Sequence, residues 1–109
     1  MNRSTVFTPM YPLNTAVLFV VFNRIETTVK VFSAIRNARP PRLYIAADGA
    51  RENKTDEANK VRVVRDYILG NVDWDCEIKT LFRDENLGCK YGVSSAISWF
   101  FKHEDFGII

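Results

Sequence analysis

Three short polar groups in this chain have the residue types to hold a phosphorylated ligand: Asn23-Arg24, Asp48-Gly49, and Arg83 followed by Asn86-Leu87-Gly88-Cys89-Lys90. Each follows directly on an apolar run. Guanidinium and ammonium groups suit phosphate, a carboxylate accepts from a ring N–H or a ribose hydroxyl, and the ring of Phe22 offers a face on which a base can stack. Gly88 and Lys90 stand at the start of a helical pattern, where backbone N–H groups, the helix dipole and the ammonium can act together on an anion. The set outlines a nucleotide site if the fold brings the three groups to one place. None of these positions reads as a catalytic residue or as a metal ligand.

The elements that must position them are legible as apolar runs. Residues 16–22, AVLFVVF, are too few for a membrane span and do not alternate, so they predict a strand buried on both faces, central in a parallel sheet. Asn23 and Glu26 have capping-box spacing at the start of a helix over 25–38, with Ile25, Val29, Phe32 and Ile35 on its buried face. Pro40-Pro41 ends it. A second strand, RLYIAAD at 42–48, turns small at Ala46 and Ala47, which leaves room beside a ligand. Thr55-Asp56-Glu57 opens a second helix with Val61, Val64 and Ile68 inward, stopped by Gly70-Asn71. The alternation of residues 76–82 predicts a third strand near an edge. After the turn DENLG, a third helix over 89–102 points Val93, Ile97, Phe100 and Phe101 at the core, and Gly107-Ile108-Ile109 begins a fourth strand.

Strands alternating with helices predict right-handed βαβ units: an α/β fold with helix layers on both sides of a mainly parallel sheet. Parallel strands deliver their carboxyl ends to one rim, where open α/β sheets bind ligands. Residues 1–14, with Pro9 and Pro12 and no period, read as an extended leader, and residues 15–109 as one domain.

Composition narrows the classes. A 109-residue chain with 47% hydrophobic and 26% charged residues is an ordinary globular domain. Its net charge of +2 is dispersed and does not by itself imply nucleic acid or a membrane surface as partner; neither is expected. The first residues lack a signal-peptide pattern, so the expected location is cytoplasmic. Cys76 and Cys89 have no zinc or redox spacing and read as free thiols, while His103, the only histidine, reads as a surface or helix-end residue. Neither GxGxxG nor GxxxxGK[ST] follows the first strand, which excludes a dehydrogenase-type dinucleotide fold and a P-loop enzyme. Asn23-Arg24 stands where a phosphoacceptor receiver domain needs an acidic pair.

VLFVVFNR, YIAADG and FRDENLGCKYG, in this order and separation, resemble the amino-terminal half of the GT-A glycosyltransferases, in particular the bacterial family-2-like, hemolysin-like nucleotide-diphospho-sugar transferases. The resemblance spans residues 13–109. FNR departs from the commoner TYNR form, with Val21 where a threonine often stands. The resemblance implies a Rossmann-like, GT-A type sheet truncated after the start of its fourth strand, and a sugar donor, UDP-sugar above all. Phe22, Asn23 and Arg24 would border the nucleoside, Asp48 and Gly49 the base, and Arg83, Asn86, Gly88 and Lys90 the ribose and diphosphate. The family's acidic motif, which binds Mg2+ or Mn2+ across the diphosphate, would follow the fourth strand, and Glu104 and Asp105 lie at that strand's other end. The acceptor half is not in the sequence. The expectation is a donor-binding portion inactive by itself, its acceptor unknown, with a homodimer as one outcome of an unfinished sheet edge. The alternative is a non-catalytic α/β interaction module.

Overall fold

The computed structural model describes residues 14–109. The expected leader therefore lies outside the described residues except for Asn14. The elements run β1 (Val17–Val21), α1 (Ile25–Ala38), β2 (Arg42–Ala47), α2 (Glu57–Asn71), β3 (Glu77–Phe82) and α3 (Gly88–Phe101). All three strands are parallel, in the order β1-β2-β3, with Val17 beside Leu43 and Arg42 beside Glu77.

Two cores sandwich the sheet. Val17, Phe19 and Val21 of β1 with Leu43, Ile45 and Ala47 of β2 meet Phe32 of α1 and Val64 and Ile68 of α2. On the other face Leu18, Tyr44 and Ala46 meet Ala96 and Phe100 of α3. The helix-sheet-helix layering follows from strands apolar on both faces, each of which needs a cover.

The central strand of the three is β2, not β1 as the apolar run suggested. Both runs are apolar because both have two covered faces; which neighbour lies at the hydrogen-bonding edge leaves no mark on that pattern. The outer edge of β1 carries a single parallel bridge, Val17 to Ile108, in which the Ile108 N–H donates to Ala16 O (3.0 Å) and the Leu18 N–H to Ile108 O (2.8 Å). A fourth parallel pairing thus begins where Gly107-Ile108-Ile109 was expected to start one. β3 is the edge strand anticipated, with Ile78 exposed.

Three details depart from expectation. Asn23 does not cap α1: the cap is Arg24, extended and without a side-chain bond, and its carbonyl accepts from the Thr28 hydroxyl at 2.6 Å. That bond satisfies Thr28, which turns inward beside Phe32 and leaves Val29 exposed. On α3 the buried face is Ala96 and Phe100, with Ile97 packed against it as read, while Val93 and Phe101 are exposed: Val93 lies on the wall of a surface cleft, and Phe101 is about 100° round the helix from Phe100. On α2, Val61, Val64 and Ile68 face inward as read, joined by Glu57, which is 3% exposed and paired to the Arg51 Nε at 2.9 Å.

α3 is fastened to β2 at its far end. Glu104 accepts from Arg42 Nε (2.8 Å) and Nη2 (3.0 Å) and from the Tyr44 hydroxyl (2.6 Å). The Arg42 hydrogen bonds hold the Glu104 carboxyl below its ordinary range, and burial together with the bond to Glu104 pushes the Tyr44 phenol up to about 12. His103 closes the same helix end, its Nδ1 2.9 Å from Trp99 O. No helix among the described residues is long and apolar enough to cross a membrane.

Candidate functional site

A cleft of about 590 Å³ opens at the carboxyl ends of the strands. Its wall contains Phe22, Asn23 and Arg24 after β1, Asp48 after β2, and Arg83, Asn86 and Gly88 after β3. Seven of the nine residues singled out in the sequence thus share one cavity, because three parallel strands end together.

The other two stand apart. Lys90 is exposed outside the cleft, its Nζ 5.7 Å from the centre of the Tyr91 ring. Two residues past Gly88 is about 200° round an α-helix, so Gly88 and Lys90 cannot face the same way. Gly49 is buried behind the wall, where its backbone joins two loops: its N–H donates to Glu85 O (3.3 Å) and its carbonyl accepts from Asn86 Nδ2 (2.8 Å). A Cβ there would lie 2.6 Å from Asp84 O, closer than any side chain sits. Glycine is required for that approach.

Asp48 has a role that its spacing did not announce. Its Oδ1 accepts from the N–H groups of Gly49 (3.0 Å) and Leu87 (2.8 Å), and its Oδ2 from that of Gly88 (3.0 Å). Leu87 is the residue before α3 and Gly88 its first; the helix has no side-chain cap at Leu87 and enters at a φ of +85° through Gly88. Asp48 is therefore the N-terminal cap of α3, supplied from another strand. The helix N-terminus expected to meet an anion together with Lys90 already holds a carboxylate. Gly92 makes room for it: a Cβ at 92 would fall 3.3 Å from Asp48 Oδ2.

Positive charge in the cleft comes instead from three arginines. Arg83 donates from Nη2 to Ser95 Oγ at 2.7 Å, which aims it along α3. Arg51, not foreseen, lines the cleft with its guanidinium carbon 5.9 Å from the Phe22 ring centre, held by Glu57. Arg24 is exposed at the mouth. The arrangement offers one aromatic face, cations able to meet phosphate oxygens, and a carboxylate at the inner wall. Among the described residues no group of three His, Cys, Asp or Glu side chains could hold a metal ion. Asp48 is already engaged by three N–H donors, so these residues do not fit a metal site, and no chemistry here is routed through one. Cys89 lines the cleft as a free, exposed thiol, and Cys76 is half-buried with its thiol pushed up by that burial.

Behind the wall sits Arg65 of α2, a position the sequence analysis did not single out. Its Nη2 donates to Arg83 O (2.9 Å) and Asp48 O (3.1 Å), with Ala47 O at 3.5 Å, and its guanidinium lies 4.8 Å from the Phe82 ring centre. Burial lowers its pKa, against the opposing pull of Asp84 and Asp48. Arg51 had a signal, a cation just past Asp48-Gly49; Arg65 had none.

Comparison of the chain with protein-family models, with curated proteins and with solved structures yields no match.

Proposed function

We propose that the cleft binds a nucleoside diphosphate and that the chain is the donor-binding portion of a GT-A type glycosyltransferase, taking an NDP-sugar, UDP-sugar foremost. The observation that carries the reading is the convergence of Phe22, Arg24, Asp48 and Arg83 on one cleft at the carboxyl rim of a parallel sheet. A base stacks against Phe22, and Asp48 accepts from a ligand donor. A carboxylate has about four acceptor sites, and the three N–H bonds to Asp48 leave one. The diphosphate belongs beside Arg24, Arg51 and Arg83, away from the carboxylate that fills the start of α3.

UDP titrated into the full chain and followed by calorimetry or amide shifts gives saturable binding in the millimolar range or tighter. Added Mg2+ leaves it unchanged. Arg24→Ala weakens it about tenfold, the cost of one phosphate contact of roughly 1.4 kcal/mol, without altering the fold. A folded sample that gives no shift at millimolar UDP overturns the reading.

A second reading, a non-catalytic interaction module, draws on Val31, Val93, Phe101 and Ile109, all apolar and exposed. It predicts a stable oligomer whose melting temperature ignores nucleotide.

A further inference from the structure

We infer that Arg65 is a positioning residue of the cleft: from outside the ligand's reach, it ties the end of β2 to the end of β3 and so sets where Asp48 and Arg83 stand. Its ligand-binding consequence rests on the nucleotide reading above; its geometric consequence does not.

The ladder between β2 and β3 ends at Ala47 beside Phe82, followed by one more bond from the Arg83 N–H to Ala47 O (3.0 Å). Beyond it, among the described residues, the Asp48 and Arg83 carbonyls have no strand to bond to. Their directions would be set by loops alone, were it not that both turn to one nitrogen of Arg65, at 3.1 and 2.9 Å. A strand end delivers a side chain to the cleft only as accurately as its last peptide is held. Asp48 and Arg83 are those last residues, one presenting a carboxylate and the other a guanidinium.

The surroundings show that the guanidinium is retained for its donors. It is stacked on Phe82, and its Nε is buried with no partner among the described residues. An apolar side chain would cover Phe82 without leaving a buried donor unsatisfied, and would forfeit both carbonyl bonds. Position 65 accepts the less comfortable group and gains the clamp. From Asp48 the effect passes to α3, because the same residue's carboxylate caps Leu87 and Gly88.

The test uses the full chain with Arg65→Met and Arg65→Lys. Amide hydrogen exchange is expected to rise about tenfold at Gly49, Leu87 and Gly88 in Arg65→Met, while Phe19 and Ile45 exchange as in the parent. Arg65→Lys, which keeps a donor on the same stem, restores part of that protection and carries the test should Arg65→Met fail to fold. UDP affinity falls about tenfold in Arg65→Met, and most of that loss disappears in an Asp48→Asn background, as a cycle of coupled residues requires. Unchanged exchange at Leu87 and Gly88 in both variants overturns the inference. So does an affinity loss that simply adds to that of Asp48→Asn. If the parent chain binds no UDP, the nucleotide reading fails alone, and the exchange pattern still decides the role of Arg65.

Discussion

Replacing Asp48 by alanine removes three hydrogen bonds at once, each with a general cost that can be assigned from its geometry. Two of them, from Leu87 and Gly88, are charge-assisted caps at the start of α3, and loss of an N-cap costs about 0.5–2 kcal/mol. The carboxylate also faces the positive end of the helix dipole, which adds roughly 0.3–1 kcal/mol. The third bond, from Gly49, fixes the loop that carries Asp48 itself and adds about 1 kcal/mol. The cleft is open, so water reaches the freed N–H groups and part of the sum is recovered. Asp48→Ala is therefore expected to cost about 2–3 kcal/mol. At about 4–8 °C per kcal/mol for a domain of this size, that lowers the melting temperature by roughly 10–20 °C. Urea titration followed by the fluorescence of Trp74 and Trp99, the second of which lies on α3, measures it. Asp48→Asn, which keeps an acceptor oxygen and loses the charge, falls between the two. An Asp48→Ala midpoint within about 0.5 kcal/mol of the parent, the range of an ordinary surface change, refutes the cap assignment.

Two further substitutions probe the rim and the far end of α3. Gly49→Ala forces a Cβ against the Asp84 carbonyl, backbone that cannot swing aside, so a loss of about 1–3 kcal/mol in urea and shifted amides in both rim loops are expected; an unchanged midpoint refutes the close approach. Tyr44, with its folded pKa raised to about 12 above an unfolded value near 10, contributes stability that is fully present below about pH 10 and is lost as pH rises toward 12, roughly 2–3 kcal/mol in all. Tyr44→Phe is less stable at neutral pH and lacks that alkaline loss, so the two unfolding curves converge above pH 12; parallel curves throughout refute the assignment.

The composition of each strand end was readable because polar residues interrupt apolar runs at Asn23, Asp48 and Arg83, and parallel connections bring such ends together. Side-chain direction was not readable to the same degree. Lys90 looked like a partner of Gly88 because the two are near in sequence, yet helical rotation separates them. Val93 and Phe101 share the helical spacing of Ile97 and Phe100, yet they lie at the two margins of that face and are exposed, while Ala96 is buried with Phe100. Strand order was the weakest inference: β1 and β2 are both apolar throughout, and what distinguishes them is that β2 has a full strand on each side while β1 has one strand and a parallel bridge at Ile108.

Asp48 shows why sequence spacing could find a site and still misassign its parts. A carboxylate after a strand has the same signature whether it faces a ligand or a helix forty residues later, since both supply N–H donors. Here it does the second, and that changes what the first can be. With one acceptor site left on Asp48 and its negative charge at the start of α3, a polyanion cannot lie along that helix without repulsion. On the nucleotide reading proposed above, the phosphates would go to Arg24, Arg51 and Arg83. On that reading the polarity of the ligand would be set by a residue whose principal bonds are structural. Arg24→Ala and Arg51→Ala should each weaken UDP more than they weaken uridine, while Lys90→Ala should weaken neither. A Lys90→Ala chain with reduced UDP affinity would put the phosphates back at the helix start and overturn this orientation.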